Sequence, residues 1–195
     1  MKKQKTALIV VDMFNSLTRP GYRTFYDTAG KMMEYFPAYV NRLRDMGVLI
    51  VFIASNDGYT HPRNTELSRG SGDPKYRVNL PPEAGDIDDR FTYCKDRDLF
   101  VRKYTFSAFY RTELANILRR HGVENVLVSG IKTNVCCRQT TIDAVSSGFN
   151  TIMISDMVST NDEETSQYHL AEIGKYIAKV MPSEEVFRLL ENNEL

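Results

Sequence analysis

Cysteine is scarce in this chain, three residues in 195, and none of them stands in a Cys-x-x-Cys pair. So small and odd a count excludes a disulfide framework and the usual spacing of a structural zinc site. Cys136 and Cys137 are neighbours that could bond only through a strained local ring constraining little of the unfolded chain. A surplus of charge is missing as well, since 25 Lys and Arg balance 25 Asp and Glu. With no basic run, an electrostatic nucleic-acid binder is excluded. Long apolar runs are absent too: Ala7 to Val11 is cut by Asp12, too short for a signal-peptide core or a membrane span. These absences lead to the expectation of a cytoplasmic protein that binds neither nucleic acid nor a membrane. No Gly-x-Gly-x-x-Gly follows the first run. The turn there reads Asp12-Met13-Phe14-Asn15, which gives a pyrophosphate no close approach to the backbone. A nucleotide-binding module without chemistry is therefore disfavoured, and no cofactor is expected.

What is present is a repeating order of buried strands and amphipathic helices. Ala7 to Val11, Val48 to Ala54, Val126 to Val128 and Thr151 to Ile154 are apolar and β-branched without alternation, as strands covered on both faces must be. Leu99 to Val101 is a shorter candidate and Ala178 to Met181 a weaker one. Phe36, Val40 and Leu43 mark one helix face ending at Gly47, with Pro37 opening the first turn or kinking a longer helix begun near Thr28. Leu114, Ile117 and Leu118 form a second stripe. Further helices are expected over Asn134 to Val145 and Glu163 to Ile177, with a closing one around Val186, Leu189 and Leu190. This alternation predicts an α/β fold, a doubly wound sheet with right-handed crossovers. One domain covering residues 1–195 suffices for the length. Residues 55–98 are the exception, rich in Gly, Pro and charge, with one short helix near Asn64 to Arg69. So long an excursion is expected to serve as a lid or a substrate-binding segment.

Ligands of open parallel sheets bind beyond the carboxyl ends of the strands. There the first strand ends in Asp12, the second in Ser55-Asn56-Asp57, the third in Arg102-Lys103, the fourth in Ser129-Gly130 and the fifth in Ser155-Asp156. A carboxylate, an ammonium and a thiol can thus converge on one edge. Any one of them has an ordinary structural explanation: a turn cap, a surface charge, an inert buried thiol. Together they are costly to bury unless Asp12 and Lys103 partner each other. A helix opening near Thr133 or Asn134 puts Cys136 in its first turn, where free N–H groups and the dipole favour a thiolate. Cys137, turned by about 100°, is expected to pack, and Cys94 looks incidental.

Three segments, ALIVVDMFNSL around Asp12, VRKYTFSAFYRTEL around Lys103 and VLVSGIKTNVCCRQTTIDAVSSGFNTIMISD around Cys136, resemble the isochorismatase-like cysteine hydrolase superfamily, which includes nicotinamidases and N-carbamoylsarcosine amidohydrolase. The family pattern Gly-hydrophobic-x-Thr-x-x-Cys falls on Gly130, Ile131, Thr133 and Cys136. The resemblance implies a three-layer α/β/α, Rossmann-like fold with a six-stranded, mainly parallel sheet. It implies an Asp12, Lys103, Cys136 triad, a cis peptide between Ile131 and Lys132, and an oxyanion hole from the main-chain N–H groups of Lys132 and Cys136. In such a site Phe14, Tyr104, Phe106 and Tyr110 are placed to wall a small planar or apolar acyl group.

Metal-dependent members carry Asp-x-His after the second strand. This chain reads Asp57-Gly58-Tyr59, with His61 the one histidine of the excursion, so no catalytic metal is expected. The reading is then a hydrolase that cleaves a C–N bond in a small amide or N-carbamoyl compound, a small-molecule enzyme. Family habit implies a homodimer or homotetramer. The rivals are vinyl-ether hydrolysis, in which Cys136→Ala leaves turnover nearly intact, and redox sensing by the paired thiols, which requires reversible oxidation.

Overall fold

The computed structural model describes residues 5–22, 24–55 and 82–195. Six strands form one parallel sheet: β1 (Thr6–Val11), β2 (Leu49–Ser55), β3 (Leu99–Lys103), β4 (Asn125–Ile131), β5 (Asn150–Ser159) and β6 (Lys179–Met181), in the order β3-β2-β1-β4-β5-β6. Every pairing is parallel. The order reverses direction between β1 and β4, so the two central strands diverge into crossovers on opposite sides, and their carboxyl ends open the crevice typical of such sheets.

Residue alternation along β1 separates two cores. Ala7, Ile9 and Val11 face one layer, with α4 (Leu114–His121), α5 (Arg138–Ser146) and α6 (Glu163–Tyr176) supplying Leu114, Leu118, Ala144, Leu170 and Ile173. Leu8 and Val10 face the other. There α2 (Asp27–Met32), α3 (Phe36–Asp45) and α7 (Ser183–Glu191) supply Met32, Phe36, Val40, Leu43, Val186 and Phe187. A short helix α1 (Asn15–Thr18) precedes α2. Each fully buried aliphatic side chain contributes about 1.5–3 kcal/mol, which is why strands covered on both sides read as unbroken apolar runs.

The structure refines several boundaries. Pro37 opens α3 as an N-terminal residue, and α2 is a separate helix, so no kinked long helix forms. β3 continues past Val101 to Lys103, and β5 runs on to Ser159 through an irregularity in its pairing with β4. Polar Ser155 and Asp156 therefore lie within a strand. Asp156 turns away to accept from the Ser183 N–H at 2.8 Å and its hydroxyl at 2.6 Å, capping α7. Of the excursion, residues 82–98 are described. They begin with a 3-10 turn (Pro82–Gly85), and Ile87 makes an isolated antiparallel bridge to Phe14. The helix expected near Asn64 to Arg69 lies outside the described residues. Among the described residues no helix is long and apolar enough to cross a membrane.

Candidate active site

Strand register brings the candidate residues together. Val11, the last residue of β1, stands between Ile53 of β2 and Gly130 of β4, and Ser55 stands opposite Lys103. Gly130 is required here. Its φ is +107°, and a Cβ would sit 2.1 Å from the Val11 carbonyl oxygen and 2.6 Å from the Val11 nitrogen, both main-chain atoms that cannot yield. Just beyond Val11 the chain turns sharply: Asp12 has φ +51°, its N–H donates to the Ile53 carbonyl at 3.1 Å, and its carbonyl accepts from the Phe14 N–H at 2.9 Å. A non-glycine residue in the left-handed region at a strand tip is a feature that clusters at functional sites.

Lys103 lies two residues after buried Val101, so both project from the same face of β3. Its side chain is fully buried, and its ammonium lies 2.7 Å from Oδ2 of Asp12. The ammonium also donates to the carbonyls of Thr105 at 3.1 Å and Phe106 at 3.2 Å, so the turn after β3 folds back over its own lysine. Oδ1 of Asp12 accepts from the Ser55 hydroxyl at 3.2 Å. Burial would depress the pKa of Lys103. The charges of Asp12 and Cys136, and hydrogen bonds with both side chains, more than offset it and hold the pKa above the ordinary lysine value. The sulfur of Cys136 therefore belongs to the same cluster as the ion pair.

Cys136 reaches that position from a π turn, Thr133–Cys137, which leads directly into α5. The Lys132 carbonyl accepts from the N–H groups of Val135 at 3.2 Å and Cys137 at 3.0 Å. The helix expected from Asn134 thus begins with a wider turn, of the kind that recurs at functional sites. Side chains fix it. Thr133 Oγ1 and Ser166 Oγ are 2.9 Å apart, Thr160 donates to Asn134 at 2.8 Å, and Thr141 donates to the Cys137 carbonyl at 2.8 Å. The peptide bond between Ile131 and Lys132 is cis. Cys137 is fully buried, and burial, with the negative charges of Cys136 and Asp12 adding to it, pushes its thiol well up. It donates weakly to the Ser129 carbonyl at 3.7 Å. Adjacent thiols therefore sit in opposite electrostatic settings, one beside an ammonium and one in apolar packing.

The four aromatic residues expected as pocket walls are placed differently from one another. Phe14 is nearly buried, immediately before α1, and Tyr104 and Phe106 are exposed on the turn that holds Lys103. Tyr110 lies further along, exposed, with the Arg111 guanidinium 5.5 Å from its ring centre. Asp57, Gly58, Tyr59 and His61 lie outside the described residues. Among the described residues no group of three or more His, Cys, Asp or Glu side chains could hold a metal ion. Sequence reasoning noted Ser55 only as a polar strand end and missed the hydroxyl's partner. It also missed Thr140, whose Oγ1 accepts from the Ala108 N–H at 3.1 Å and ties the Lys103 turn to α5. Neither contact has a signal in a single sequence, because each depends on register between distant segments.

Comparison with known proteins agrees with this architecture. The isochorismatase domain model matches residues 6–185. The isochorismatase family protein YwoC of Bacillus subtilis is 29% identical over 188 residues, covering 93% of this chain and 92% of that protein. Maleamate amidohydrolase of Pseudomonas putida is 24% identical over 200 residues, covering 97% and 88%. The crystal structure of a cysteine hydrolase from Pseudomonas syringae superposes with a TM-score of 0.84 at 20% identity, covering 98% of this chain and 95% of that one. Since the family match runs through nearly all of the chain and the fold follows it, the protein belongs to the isochorismatase family and is a hydrolase of that family.

Proposed function

We propose that the protein cleaves a C–N bond of a small amide or N-carbamoyl compound through a thioester on Cys136. The observation that supports this reading is the buried cluster itself: a carboxylate 2.7 Å from an ammonium, with a cysteine sulfur charge-coupled and hydrogen-bonded to the same ammonium. Asp12 accepts the thiol proton and Lys103 stabilises the thiolate so formed. The sulfur attacks the carbonyl carbon, giving a tetrahedral oxyanion that the main-chain N–H groups of Lys132 and Cys136 receive. Such donors are each worth about 3 kcal/mol at the transition state. Asp12 returns the proton to the departing amine or ammonia as the C–N bond breaks. Water, deprotonated by the same carboxylate, then adds to the thioester, and the acid leaves as the sulfur regains its charge. Phe14, Tyr104, Phe106 and Tyr110 are the aromatic residues expected to enclose the acyl group. Similarity to a maleamate amidohydrolase supports amide cleavage in particular.

A screen of small primary amides and N-carbamoyl compounds for ammonia release tests the reading. Cys136→Ala is expected to lose turnover by at least about 10³-fold, while Cys137→Ala keeps most of it. Full turnover by Cys136→Ala would instead favour the vinyl-ether type of reaction, in which the carboxyl acts as an acid alone.

A further inference from the structure

The two carboxylate oxygens of Asp12 have different partners. The Lys103 ammonium stands 2.7 Å from Oδ2, while the Ser55 hydroxyl donates to Oδ1 at 3.2 Å. Both donors come from one face of the sheet. Ser55 and Lys103 are register partners at the ends of β2 and β3, so their side chains project to the same side, on which Ile53 and Val101 lie in one core. Because β2 lies between β3 and β1, the lysine spans the β2 tip to reach Asp12, and half-buried Ser55 meets the carboxylate from the adjacent strand.

The rotation that sets a carboxylate plane is broad and two-fold, so the left-handed backbone of Asp12 does not by itself aim either oxygen. Contacts on both oxygens do. Their chemistry is unequal, because an ammonium only donates whereas a hydroxyl donates or accepts. A proton on Oδ2 would compete with the Lys103 N–H for that oxygen. A proton on Oδ1 meets a hydroxyl that turns to suit it.

We infer that Asp12 moves protons through Oδ1, and that Ser55 is a positioning residue holding this oxygen in place in both its bare and its protonated form. The inference rests on the cysteine-hydrolase reading and assigns its acid–base step to one atom. In that step the S–H bond of Cys136 breaks as an Oδ1–H bond forms, leaving the electron pair on sulfur. The Oδ1–H bond breaks later, as an N–H bond forms on the departing amine or ammonia. Lys103 stays an ammonium throughout.

Ammonia release from the primary amide that the unaltered protein turns over fastest tests the inference. Turnover is expressed per molecule whose buried Cys137 stays unalkylated by iodoacetamide, so that only folded protein counts. Ser55→Ala is expected to lower kcat about tenfold, part of what a positioned acid–base group contributes, and to leave KM within about twofold. Proton transfer then limits the rate, so the ratio of kcat in water to kcat in deuterium oxide rises. Ser55→Thr keeps the hydroxyl and is expected to retain kcat within about threefold. A Ser55→Ala enzyme with the parent's kcat would overturn the inference alone, as would a loss that leaves the isotope ratio unchanged or one that Ser55→Thr shares in full. Turnover retained in Cys136→Ala, or ammonia from none of the amides, would overturn the thioester reading and this inference with it.

Discussion

The side chains of Lys103 and Asp12 are buried, 0% and 1% exposed, a placement that takes two charges out of water. Their attraction repays that cost only while both are present. Lys103→Met is therefore expected to destabilise the fold by about 3–5 kcal/mol, because it leaves a buried carboxylate without its counter-charge. The double change Asp12→Asn with Lys103→Met should recover a large part of that loss, although it abolishes turnover. Urea unfolding of the two single variants, Lys103→Met and Asp12→Asn, and of the double variant checks the cycle, and additive losses would contradict the pairing. Asp12 was legible in the sequence because it directly follows an apolar run that has to be buried, and Lys103 because it ends a shorter candidate strand, behind Arg102, in a segment that resembles the family. Ser55 was not, since its hydroxyl finds Oδ1 of Asp12 across a strand pairing that no local pattern encodes.

Among the elements, the pairing of β1 with β4 decides whether the site exists. Gly130 lets the two strand ends approach more closely than any side chain permits, directly beside the residue that precedes Asp12. Gly130→Ala is expected to cost more than about 3 kcal/mol, combining a main-chain clash with a positive φ. Thermal unfolding checks it. A variant melting within a degree of the parent would refute the close approach. The order of the strands and of the longer helices was readable from the apolar pattern, whereas the short α1, the separation of α2 from α3 and the element ends were not. β5 runs on past Ser155 and Asp156 because its pairing with β4 resumes at Val158 and the Asp156 carboxylate caps α7, and tertiary partners of that kind override local polarity. The π turn under Cys136 likewise depends on Ser166 and Thr160, from other segments.

Across the whole molecule, the segment after β1 is fastened to the one before β3 by a buried carboxylate. Asp88 accepts from the Thr18 hydroxyl at 2.6 Å, from Arg19 at 3.2 Å and from Arg90 at 2.6 Å. Burial alone would raise its pKa, but the hydrogen bonds from Arg90, Arg19 and Thr18 outweigh that and hold the carboxyl well below the usual range. A depressed folded-state pKa contributes stability that is present above the ordinary value of 3.8 and is lost as pH falls below it. Asp88→Asn should thus cost about 2 kcal/mol at neutral pH, discounted for two partly exposed guanidiniums. Its deficit should shrink on acidification below about pH 4. A deficit that stays constant across that window would disprove the linkage. The doubly wound class was legible at this scale because fully covered strands cannot hide their composition. The Asp88 clasp was not, since its partners are far apart in the chain and ordinary in type.

The most direct measurement is peptide mapping of the enzyme quenched in acid while it turns over an amide substrate identified by ammonia release. The acyl mass should appear on the peptide containing Cys136 and nowhere else, and should vanish in Asp12→Ala. Sustained turnover with Cys136 unmodified at every quench time, and retained in Cys136→Ala, would contradict the covalent mechanism.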